Sequence, residues 1–271
     1  MSTFAAATAV RALEPGRYGV EIDPGWASGS RPNGGYVLAA AARAALAAAD
    51  AAGADHPHAI ATTAHFLSPP DPGPAEVDTE VLRTGRTATT VRFTLRQETS
   101  IRVVGHLTAG RLAGHAPEWQ RDPEPPPLRP EAECVASSSQ TPMGAIPLLD
   151  QVRVSMDPDT LGWAVGRPAG RLEMLAWMSP AEGALDDPLF ALVAVDTMPP
   201  TPWDLRPVGW TPTVELTAHL RAIPAPGALR VRAQATLIAD GWFDEDAEVW
   251  DSAGRLVARS RQICRIQEAS A

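Results

Sequence analysis

Two rhythms of apolar and polar residues run along this chain, and an element begins wherever one gives way to the other. Alternation with a period of two, the mark of a half-buried strand, first appears at Arg17–Ile22. A Gly/Ser/Pro loop at 24–32 carries Trp26. Then Asn33-Gly34-Gly35-Tyr36 opens an Ala-rich stretch that predicts a helix to about Asp50, with Asn33 as N-cap and a stop near Gly53. Alternation returns in consecutive runs at 60–67, 75–83, 87–97 and 101–111, parted by strong turn formers such as Ser68-Pro69-Pro70-Asp71-Pro72-Gly73 and Thr84-Gly85-Arg86. Long strands joined so tightly predict an antiparallel meander, and one helix set against it makes an α+β unit.

The pattern then breaks and begins again. Residues 113–150 are rich in proline (Pro117, Pro123, Pro125 to Pro127, Pro130) and contain Ser137-Ser138-Ser139, a composition expected of a linker that crosses the surface and takes no part in chemistry. Beyond it a strand at 171–178 precedes a helix at 188–196, which Asp186 and Asp187 can cap and which Pro199-Pro200 stops; about three turns are expected. Four more strands follow, at 213–221, 229–239, 242–251 and 256–266. The residues repeat as well as the elements. Thr63-Ala64-His65-Phe66-Leu67 with Pro69 matches Thr217-Ala218-His219-Leu220-Arg221 with Pro224, and Gly85 matches Gly241. Two copies of one helix-plus-sheet unit are therefore fused in tandem, the first at 1–112, the linker at 113–150 and the second at 151–271.

Composition narrows the function without naming it. A net charge of −9 argues against a nucleic-acid partner. All 23 basic residues are Arg, so a Schiff-base lysine and a Walker-type phosphate loop are both excluded, while an anionic ligand is not. Two isolated cysteines, Cys134 and Cys264, fit neither a disulfide framework nor a thiolate metal site, and suit a reducing cytoplasm. The opening residues lack the basic region of a signal peptide, and no apolar run is long enough to cross a bilayer, so membrane insertion is not expected.

Two features point to chemistry. Asp196 ends an apolar helix, where the negative end of the macrodipole and burial would both raise its pKa toward that of a general base. Gly34 and Gly35 leave the backbone N–H groups of a helix start unobstructed, ready for a carboxylate, a phosphate or a developing oxyanion. His65 and His219 hold equivalent places in the two repeats and read as shared architecture.

The order of elements, with Asn33-Gly34-Gly35-Tyr36-Val37, His65-Phe66-Leu67 with Pro69, Asp196, Thr213, and Val257-Ala258-Arg259-Ser260-Arg261-Gln262, resembles the double hotdog acyl-CoA thioesterases, in particular the acyl-CoA thioesterase II type. The resemblance implies an α+β double hotdog that hydrolyses acyl-CoA to free acid and CoA with no cofactor and no metal. It also implies that Asp196, Thr213 and Gln262 together hold and activate the water, that the Gly34/Gly35 start stabilises the oxyanion, and that copies associate into a dimer or larger homo-oligomer. Trp203 and Trp210 are expected to line an acyl tunnel. Arg83, Arg86, Arg92, Arg167, Arg171 and Arg206 are candidates for the CoA phosphates. The alternatives are a non-catalytic hotdog protein that binds acyl-CoA or acyl-carrier ligands and, lowest, an enoyl-thioester hydratase or dehydratase, whose Asp/His dyad is not found in register.

Overall fold

The structure, a computed structural model, describes residues 3–120, 124–141 and 144–267. Among these residues thirteen strands join in one antiparallel sheet: β1 (Val10–Glu14), β2 (Arg17–Ile22), β3 (His58–Phe66), β4 (Gly73–Thr84), β5 (Thr89–Gln97), β6 (Ser100–Gly110), β7 (Val135–Ala136), β8 (Val152–Met156), β9 (Glu173–Pro180), β10 (Thr213–Leu220), β11 (Leu229–Ala239), β12 (Trp242–Trp250) and β13 (Leu256–Arg265). Their spatial order is β1-β2-β4-β5-β6-β3-β10-β13-β12-β11-β9-β8-β7. Outward from the β3/β10 seam, the first six strands on each side follow the same succession, with β7 added at one edge, so the sheet has an internal dyad. That dyad passes between Thr63 and Thr217, which pair in register with their Oγ1 atoms 3.0 Å apart. Their separation of 154 residues is the offset of the sequence repeat.

Helix α1 (Gly34–Ala51) lies along the first half of the sheet. Asn33 caps it as expected, its Oδ1 accepting from the Tyr36 N–H at 2.9 Å, and Gly53 takes the left-handed conformation that ends it (φ +77°). Its alanines, from Ala39 to Ala49, are almost all buried; small side chains let the sheet wrap closely on every side. Tyr36 fixes the near end. Its hydroxyl donates toward Ala7 O (2.9 Å) and accepts from Asp23 N–H (3.0 Å), and its ring stacks on Trp26.

Three details depart from the sequence reading. Each half opens with two strands, because β1 and β8 precede β2 and β9. The residues of β1 are mostly exposed and carry no clean alternation. Helix α2 (Phe190–Ala194) is shorter than expected: its flanks close with tighter i→i+3 bonds (Phe190 N–H to Asp187 O, Asp196 N–H to Val193 O), and Thr197 Oγ1 takes the Val193 carbonyl that another turn would need. The 113–150 stretch is not confined to the surface. Of its prolines, Pro123 lies outside the described residues, but β7 pairs with β8 and Leu148 is only 2% exposed in the core.

Candidate active site

The two helices lie side by side and antiparallel, Gly35 against Leu192 and Arg43 against Asp187, and glycine makes the contact possible. A Cβ on Gly35 would lie 2.2 Å from Leu192 O, so no other residue fits there without moving α2. This approach brings Asp196, just past the end of α2, over the start of α1. The Gly35 N–H donates to Asp196 Oδ2 at 2.7 Å, and Asn33 Nδ2 donates to the same oxygen at 3.0 Å and to the Asp196 carbonyl at 2.8 Å. The anion at this helix start is thus a carboxylate of the chain itself. The Gly35 N–H is bonded to Asp196, and that of Gly34 is directed to the same group.

Asp196 is half-buried by surface area because it borders a cavity, but protein surrounds it, and that surrounding governs its solvation. Burial pushes its pKa up to about 7; the negative charge of Glu245 adds to the rise, and the bonds from Gly35, Gly34 and Asn33 oppose it. The cavity, about 600 Å³, takes Asn33, Gly34 and Asp196 from one side and Thr213, Glu245, Gln262 and Cys264 from the other. Val37, Phe66, Ile146, Leu148, Val154 and Met156 give it an apolar wall. Residues of the supposed linker therefore shape the cavity.

Thr213 enters it through a β-bulge. Thr213 pairs with Cys264 but Glu215 already pairs with Ile263, so the register slips and re-aims the first residue of β10. Its hydroxyl donates to Gln262 Oε1 at 2.7 Å. Gln262 sits on the inward face of β13 with Ala258, Ser260 and Cys264, directly opposite Glu245 on β12, and its Nε2 donates to Glu245 Oε1 at 2.9 Å. The other carboxylate oxygen of Glu245 accepts from the Thr201 N–H (3.1 Å) and hydroxyl (2.8 Å). Burial raises the pKa of Glu245, these bonds lowering it in part. Burial also pushes the Cys264 thiol far up, which leaves no thiolate to act as a nucleophile.

Both halves of the chain match known domains. Residues 22–111 match the acyl-CoA thioesterase N-terminal domain and residues 116–266 the acyl-CoA thioesterase C-terminal domain. The chain belongs to the acyl-CoA thioesterase family. This thioesterase is 32% identical to the uncharacterized protein Rv0499 of Mycobacterium tuberculosis, with 97% of this chain and 98% of the relative covered. A solved structure from Thermobifida fusca, provisionally described as a thioesterase II, is 39% identical with a TM-score of 0.88, covering 99% of this chain and 98% of that one. The acyl-CoA thioesterase II TesB2 of Mycobacterium marinum, 14% identical with a TM-score of 0.69 and 99% of both chains covered, shares the fold. The thioesterase is an α+β double hotdog and a thioester hydrolase.

The cavity of the thioesterase gathers Asp196, Thr213, Gln262 and Gly34, with Gly35 behind Asp196. Trp203 and Trp210 border it, and so does Trp242. His65 and His219 are exposed. The arginines at its edge are Arg31 and Arg265, and neither is among the six picked out for CoA. Sequence reasoning missed Glu245, Thr201 and the second role of Asn33. For Glu245 a signal existed: it stands in the apolar phase of β12, between Phe243 and Ala247. Among the described residues no helix is long and apolar enough to cross a membrane.

Proposed function

We propose that this thioesterase hydrolyses acyl-CoA by direct attack of a water that Asp196 deprotonates and that Thr213 and Gln262 hold in place. A thioester is an activated acyl group, so a positioned water suffices without a covalent enzyme intermediate. Asp196 takes one proton as the water oxygen bonds to the carbonyl carbon. The tetrahedral intermediate then collapses, the carbon–sulfur bond breaks, and the departing thiolate recovers that proton from Asp196. A free thiol ionises near pH 8.5, so the leaving group needs only weak acid assistance. The observation that carries this reading is the half-buried carboxylate of Asp196, poised near pH 7 and bordering the same cavity as the hydrogen-bonded Thr213–Gln262 pair.

The apolar wall suits an acyl chain, and Arg31 and Arg265 at the edge suit the phosphates of CoA. Both cysteines are free, which supports a reducing cytoplasm. The test is thiol release from saturated acyl-CoA thioesters of increasing chain length. Turnover whose rate varies with chain length supports the proposal, whereas binding of every member with no thiol released would make the protein a carrier of thioesters.

A further inference from the structure

Glu245 costs the fold more than a neutral residue would. It is 4% exposed, at a strand position whose neighbours on the same face are Phe243 and Ala247, and a carboxylate there requires compensation. Compensation comes from three donors: the Thr201 N–H, the Thr201 hydroxyl and the Gln262 amide. Gln262 turns its NH2 group to Glu245, whose Oε1 accepts from Nε2 at 2.9 Å. That leaves Gln262 Oε1 facing Thr213, which spends its one hydroxyl proton on it at 2.7 Å. The hydrogen-bond direction of the whole row, Thr213 to Gln262 to Glu245, is therefore set at its buried end.

We propose that Glu245 is a positioning residue: by accepting the Gln262 amide N–H it fixes which end of that amide faces the cavity, so that Thr213 and Gln262 both present lone pairs, not protons, to the hydrolytic water. This rests on the hydrolytic reading above. With Asp196 as the third acceptor, both O–H bonds of the water are directed to the protein, and a lone pair on its oxygen is left to meet the carbonyl carbon. A flipped Gln262 would offer a donor instead and turn that lone pair away. The segment that follows α2 contributes Thr201 to hold the carboxylate in place.

The decisive variants are Glu245→Gln and the exchange Glu245→Gln/Gln262→Glu. In the single variant the new amide must still accept from Thr201, so its NH2 group faces Gln262 and forces that side chain to flip. In the exchange the directions are restored: the amide at 245 donates to a carboxylate at 262, which still accepts from Thr213. The single variant is expected to lose about 10–100-fold in kcat with KM within about threefold, and the exchange to recover about tenfold of that loss. Nitrogen-15 spectra of the full chain provide a readout independent of turnover. The Gln262 side-chain amide should be protected from exchange in the wild type and lose that protection in E245Q.

Wild-type kcat in E245Q, or an unchanged Gln262 amide signal, overturns the proposal. So does an exchange variant no faster than the single one in a protein that still melts cooperatively, because Glu245 would then be merely structural. A wild type that releases no thiol sinks the hydrolytic reading instead, and the amide signal still decides whether Glu245 holds Gln262.

Discussion

Replacing Gly35 with Ala tests the helix contact on which the site is built. The added Cβ would lie 2.2 Å from Leu192 O, 2.9 Å from Leu192 C and 3.0 Å from Asp196 Cβ. The first two are backbone atoms of α2, so no side-chain rotation relieves the clash. Ordinary contact begins near 3.4 Å, so the helices must part by about 1 Å. Overpacking of this kind costs about 1–3 kcal/mol, which for a chain of this size lowers Tm by about 3–10 °C. The same displacement stretches the 2.7 Å bond from Gly35 N–H to Asp196 and moves the base off its water, and a 1 Å misplacement costs about 10²-fold in rate. Gly34→Ala is the comparison: its Cβ meets Asp196 Oδ2 at 3.0 Å and the Phe66 ring at 3.3 Å, both ends of side chains that can yield, so it should cost less stability. Thermal melts and thiol release on both variants make the measurement. A Gly35→Ala protein that melts and hydrolyses like the wild type would refute the packing argument.

Further expectations concern charge, nucleophile and pocket. The folded protein holds a proton on Asp196 up to about pH 7, whereas an ordinary aspartate releases it near 3.8, so this group lowers stability progressively as pH rises between those values and adds no further slope above them. Asp196→Asn should therefore be stabilised relative to the wild type at pH 8, by at most about 4 kcal/mol, and this advantage should shrink at pH 5. Urea midpoints at the two pH values check it, and a constant difference would contradict it. Cys264→Ala should keep kcat within about threefold, since a buried thiol with a raised pKa supplies no nucleophile; loss of turnover with a normal melt would implicate the sulfur. Ile146→Trp should fill part of the cavity and move the preference to shorter acyl chains, and an unchanged chain-length profile would place the acyl group elsewhere.

What could be read from the sequence was what is local or periodic. Asn33, with its glycines and the alanines behind them, signals the cap and the small-sided helix directly. The 154-residue offset of Thr63 and Thr217 marks the repeat, and in the fold it becomes the dyad of the sheet. Asp196 stands out because a carboxylate ends an apolar run. What could not be read depends on partners distant in the chain: Gly35 meets Asp196 across 161 residues and Thr201 meets Glu245 across 44, and no local pattern encodes either pairing. For that reason the glycine start is legible as an anion site, while its anion, an internal carboxylate, is not. Composition misled at 113–150, where proline and serine dominate but Ile146, Leu148 and Leu149 still turn inward to the cavity.

The most direct test of the central claim is the pH dependence of kcat/KM for thiol release, measured on the wild type and on Asp196→Asn. A general base must be ionised, so the wild-type rate should rise with pH, bend near pH 7 and then hold level. The variant should lose about 10²–10⁴-fold and show no such bend. A wild-type profile that is flat from pH 5.5 to about 8.5, or a variant that keeps the wild-type rate, would remove Asp196 as the base.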